Sequence, residues 1–129
     1  MNWENIYKGK LTTGEEAVKS GDTIFPSHAV AEPKYLIDIL FKRKNELKDV
    51  KIWQGLNIGD AAYAQPEYEG SFVNSSCFSG AKNRKCIQEG RGLFTPMSFS
   101  SEPKSIREGY LLTSRFSGTL QPALANFHI

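Results

Sequence analysis

Residues 25–33, FPSHAVAEP, place a hydroxyl, an imidazole and a carboxylate close together as Ser27, His28 and Glu32. The segment joins what reads as the C-terminal end of a strand to the start of a long helix. In open parallel sheets ligands bind at such a junction, because free backbone N–H groups and the helix dipole favour an anion there. On that reading Ser27, His28, Ala29 and Glu32 form a substrate-pocket loop. The plain alternative has Ser27 satisfying a loop amide, His28 on the surface and Glu32 complementing the dipole. A second group, Lys82, Arg84 and Lys85, opens a helix behind Gly80. Cations there oppose the macrodipole, so a nearby anion would offset a small local cost. Lys82 and Arg84 are therefore candidate anion contacts, with a solvated charged face as the plain alternative.

Other chemistry finds little footing. The phosphate loop G-x-x-x-x-G-K-[ST], the dinucleotide motif G-x-G-x-x-G and the nucleophile elbow G-x-S-x-G have no match. Gly90-Arg91-Gly92 follows a helix and reads as a turn. Cys77 and Cys86, with His28 and His128 far apart, do not have zinc spacing, so no metal is expected. The cysteines read as small buried hydrophobes.

The elements that must position these residues alternate. Asn2 and Thr13 can cap two short helical turns, the second closed by Gly21. Residues 23–25 read as a strand ending at Pro26, and Pro33 opens a helix predicted to run to about Lys48. Leu36, Ile39, Leu40 and Leu47 form its apolar stripe, flanked by Phe41. Residues 50–56 read as the next strand, which makes a βαβ unit with a right-handed crossover. The connection 57–70, with Tyr63 and Tyr68, is long enough to suggest function or packing. Strands over 72–77 and 93–97, and helices over 81–89 and from Ser101 to Gly109, complete the alternation. The fold class is α/β: an open, mostly parallel sheet of about four strands with helices on both faces.

The chain has 129 residues, a single-domain length, with 40% hydrophobic and 23% charged residues. A net charge of +2 argues against nucleic acid or an anionic membrane as partner. No apolar run approaches the ~20 residues that cross a bilayer, and the N-terminus is unlike a signal peptide. Two cysteines without a secretory signal suggest reduced thiols and a cytoplasmic protein.

Taken in order, several segments resemble the start of the acetyl-CoA hydrolase/transferase family, and most of all its 4-hydroxybutyrate CoA-transferase branch. They are Glu15-Glu16-Ala17-Val18, Lys19-Ser20-Gly21-Asp22, the loop His28-Ala29-Val30-Ala31-Glu32-Pro33 and the helix that follows. Pro66-Glu67-Tyr68 with Phe72, Gly80-Ala81 with Arg84-Lys85, Glu89-Gly90-Arg91 with Phe94-Thr95-Pro96, Glu102-Pro103 and residues 106–111 continue the likeness. The family usually has Gly where this chain has Pro26 and Ala31.

The resemblance implies an N-terminal CoA-transferase domain over residues 1–111 and a divergent tail over 112–129. Family members look like enzymes whose Glu carboxylate attacks an acyl-CoA thioester and passes CoA to a second carboxylic acid such as acetate, butyrate or 4-hydroxybutyrate. By the same resemblance the catalytic Glu belongs to a second domain, and no Glu here matches it, so no catalytic residue is assigned in this chain. Coenzyme A thioester is then a substrate, and no covalently bound cofactor is expected. The chain reads as a truncated or frame-shifted product, inactive alone. A non-catalytic binding or interaction module is the alternative, self-associating through an exposed sheet edge or the face the missing domain would cover. A flavodoxin-like nucleotide binder is disfavoured by the missing phosphate loop.

Overall fold

A computed structural model describes residues 18–108; the two predicted N-terminal turns up to residue 17 and the predicted tail lie outside them. Four strands, β1 (Thr23–Ile24), β2 (Val50–Gln54), β3 (Phe72–Ser76) and β4 (Gly92–Phe94), pair in parallel in the order β1-β2-β3-β4. Three α-helices accompany them: α1 (Lys34–Lys42), α2 (Arg84–Gln88) and α3 (Glu102–Arg107). Short 3₁₀ turns lie at Ala29–Ala31, Ala62–Ala64, Pro66–Tyr68 and Phe99–Ser101.

The alternation of β2 divides the core in two. Val50 and Ile52 point to one face, where they pack with Ile24, Phe72, Leu40 and Leu47, with Ala61, Tyr63 and Ala64, and with Cys86 of α2. Trp53 points to the other face and packs with Cys77, Phe25, Met97 and Ile106 of α3. When strands follow chain order and crossovers are right-handed, every connection falls on one face. The first cluster fits that rule, drawing its partners from all three crossovers. The second face is reached by α3, after β4, so helices do lie on both faces.

Two details of the first helix differ from the sequence reading. The α-helix ends at Lys42, and residues 43–46 are turns. Length explains this: a helix to residue 48 would be about 22 Å long, whereas a five-residue strand spans about 17 Å. The shorter helix returns the chain to the start of β2 without overshooting the sheet. The apolar stripe also differs. Ile37 and Leu40 are buried with Phe41 against them, the i, i+3, i+4 pattern, while Leu36 is 54% exposed. Ile37, Ile39, Leu40 and Phe41 are all apolar, so more than one stripe was consistent with the pattern, and tertiary packing selects among them.

The other elements agree with the sequence in order and type and are shorter, except that β4 begins one residue before the expected strand and stops at Phe94, short of Pro96. Gly90, with φ of +75°, follows α2 as the left-handed residue after a helix should. Cys77 and Cys86 are free and buried.

The orientation of α1 is open to measurement. Leu40→Ala should lower stability by about 2–5 kcal/mol. Leu36→Ala should change it by no more than about 0.5 kcal/mol. Urea unfolding of both variants is the check; equal losses would mean that the helix faces the sheet differently.

Candidate functional site

The C-terminal ends of β2 and β3 carry buried polar side chains. Gln54, Ser75 and Ser76 are all buried there. Buried polar groups in folded proteins are mostly hydrogen-bonded, and here Gln54 ties the 27–32 loop to the end of β2. Glu32 Oε2 accepts from Gln54 Nε2 at 3.1 Å and from Asn57 Nδ2 at 3.2 Å. Gln54 Nε2 also donates to the Ser27 carbonyl at 3.1 Å. The Tyr63 hydroxyl donates to Gln54 Oε1 at 2.6 Å, and Asn57 Nδ2 donates to the same oxygen at 3.0 Å.

The loop itself is strained. Ser27 and Ala29 have φ of +76° and +50°, on either side of an extended His28. A non-glycine residue in that region costs about 1–2 kcal/mol, so surrounding contacts must hold it. Ala29 N–H donates to the Leu56 carbonyl at 2.9 Å, and Gln54 grips Ser27. The left-handed turns thus fall on Ser27 and Ala29, beside Pro26 and Ala31 rather than on them.

His28 has both ring nitrogens engaged. The Gly55 N–H donates to Nδ1 at 2.9 Å, and Nε2 lies 3.1 Å from Glu102 Oε2. The other carboxylate oxygen of Glu102 accepts from the Cys77 thiol at 3.4 Å. Phe25 and Phe99 stand edge-on to the imidazole, with centroids at 4.9 and 5.5 Å. A Cβ on Gly55 would lie 2.2 Å from His28 Cε1, so only glycine admits the ring.

A cavity of about 310 Å³ opens beside the loop. Ala29, Glu32 and Tyr63 meet it from the network, and Ile37, Phe41 and Ile58 give it apolar walls. Its size falls in the range of small-molecule sites.

Ser27, His28, Ala29 and Glu32 are therefore brought together: the Ser27 carbonyl and Glu32 meet Gln54, the His28 ring meets Gly55 and Glu102, and Ala29 N–H donates to Leu56. Lys82 and Arg84 stand apart, exposed at the start of α2; among the described residues no hydrogen bond joins them to the loop. Sequence reasoning missed Gln54, Gly55, Asn57 and Glu102 as parts of this site. A Gln ending an otherwise apolar strand was the one signal that could have pointed there.

Among the described residues no helix is long and apolar enough to cross a membrane. Comparison with known proteins decides the family: the profile described as the acetyl-CoA hydrolase/transferase N-terminal domain matches residues 1–117. The chain belongs to the acetyl-CoA hydrolase/transferase family. It is 32% identical over 111 residues to a 4-hydroxybutyrate coenzyme A transferase of Clostridium kluyveri, covering 84% of this chain and 26% of that protein. It is 33% identical over 96 residues to a succinyl-CoA:acetate/propanoyl-CoA:succinate CoA transferase of Fasciola hepatica, covering 73% and 20%. Among solved structures, RipA from Yersinia pestis matches with a TM-score of 0.64 at 25% identity, over 81% of this chain and 28% of that one. The chain thus spans about a quarter of the length of these proteins.

The Cys77 thiol and the Tyr63 hydroxyl both titrate above their ordinary ranges. Burial, and then the hydrogen bond to Glu102, push the Cys77 thiol up to about 12. Burial raises the Tyr63 hydroxyl above the ordinary phenol range, and Glu32 adds to it against the Asn57 hydrogen bond. Above about pH 9 the unfolded chain releases thiol protons that the folded chain keeps, so stability must fall as pH rises. The urea midpoint should be lower at pH 10.5 than at pH 8, and Tyr63→Phe should reduce the drop. A midpoint constant across that range would contradict the assignment.

Proposed function

We propose that this chain is the N-terminal part of a CoA-transferase, moving CoA between an acyl-CoA and a short carboxylic acid such as acetate, butyrate or 4-hydroxybutyrate. Coenzyme A thioester is its substrate rather than a bound cofactor, and the cytoplasm is its location. The observation that carries the reading is the Glu32–Gln54–Asn57–Tyr63 network beside the cavity at the C-terminal end of a parallel sheet. It fixes a strained loop at the place where open α/β sheets take ligands. A wall so held costs no reorganisation when substrate binds, which is what a stabilised transition state requires.

In this reading Ser27, His28, Ala29 and Glu32 shape one wall of the acyl and carboxylate pocket. Lys82 and Arg84 are its outer anion contacts. The nucleophilic carboxylate comes from a second domain, as the family resemblance implies, and no Glu of this chain takes that role. The wall supplies shape and fixed dipoles, and the chain alone has no transferase activity.

One observation favours a non-catalytic interaction module as the second reading. Leu93 and Phe94 of the edge strand β4 are 48% and 47% exposed. An apolar strand edge of that kind invites pairing with another chain. Sedimentation velocity over a range of concentrations separates the readings. A monomer without affinity for CoA or short acids would count against the module.

The first reading predicts no CoA exchange between acetyl-CoA and butyrate by the purified 129-residue chain. It also predicts a thermal shift with acetyl-CoA or butyrate that a mononucleotide does not give. Measurable turnover, or a response to the mononucleotide alone, would overturn it.

A further inference from the structure

We propose that Glu102 is a positioning residue that acts through His28 to fix the 27–32 loop, and that His28 is a latch rather than a substrate contact. The first observation is the use of the imidazole. Gly55 N–H donates to Nδ1, so that nitrogen holds a lone pair and the ring proton sits on Nε2, where it donates to Glu102. Neither nitrogen is left to take or give a proton to a ligand. The ring sits among Phe25, Trp53 and Phe99, with centroids 4.9, 6.0 and 5.5 Å away.

The second observation is the span. Glu102 and His28 are 74 residues apart in sequence, and Glu102 is 7% exposed. A buried carboxylate needs donors, and two donors meet this one, the His28 ring and the Cys77 thiol. One carboxylate therefore joins α3, the residue just after β3 and the loop after β1. The third observation is the strain at Ser27 and Ala29, the two neighbours of His28. A side chain anchored between two left-handed residues sets both at once.

The loop's role as a pocket wall rests on the function proposed above, whereas the latch can be read without substrate, so the two can fail separately. In the ¹⁵N-labelled 129-residue chain, the His28 ring should show protonated Nε2 and unprotonated Nδ1 in long-range ¹H–¹⁵N spectra. With its Nε2–H anchor gone the ring should leave Gly55 N–H as well, so Glu102→Ala should lose the single tautomer and shift the amides of residues 27–32 and Gly55. Glu102→Gln keeps an oxygen to accept from Nε2–H and should restore the tautomer and most of the shifts, a rescue that general loss of packing would not give. A proton on Nδ1 or a mixture of tautomers in the unmutated chain overturns the proposal, whether or not Glu102→Ala folds. So does a Glu102→Ala spectrum with the ring and loop unchanged.

Discussion

Gly55 has no side chain, and the His28 ring occupies the space where one would be. That contact sets how closely the loop after β1 can approach the end of β2. With the ring seated, Gly55 N–H reaches Nδ1, Leu56 receives Ala29, and Gln54 reaches both the Ser27 carbonyl and Glu32. Three successive residues, the last of β2 and the two after it, thus bind four residues of one loop. The arrangement lets the chain keep two non-glycine residues in left-handed conformations, because each is flanked by a hydrogen bond to a rigid strand.

The polar end of the sheet and its apolar middle have different tasks. Val50 and Ile52 are fully buried and give the sheet its cohesion. Two residues further along the same face, Gln54 replaces an aliphatic residue and gives up that contribution for directional bonds. Because each of its polar atoms has a partner, the substitution avoids the cost of an unsatisfied buried amide. Tyr63 and Asn57 come from the long connection between β2 and β3, so that connection both packs on the core and completes the site.

Much of this was legible in the residues. β-branched and aromatic runs marked the four strands, Pro33 and Gly90 marked helix ends, and the alternation of strands with helices implied parallel crossovers. The 27–32 loop stood out by its place between strand and helix. Helix length and facing were not legible, since they depend on the span of a sheet and on which of several apolar stripes packs. The use of His28 was hidden for another reason. The identity of its partners depends on Gly55 and Glu102, which the chain brings to it only through the complete sheet. An isolated His beside a Ser and a Glu suggests chemistry; the same His with both nitrogens occupied is part of the frame.

The strand order has a bearing on how the domain is made. Each strand pairs with the one synthesised just before it, so no later strand must insert between two earlier ones, and the sheet can lengthen in step with translation. The loop that borders the cavity belongs to the first crossover, yet the carboxylate that meets its imidazole is supplied by the last described helix. The wall therefore takes its final shape last, although its residues are among the first to leave the ribosome.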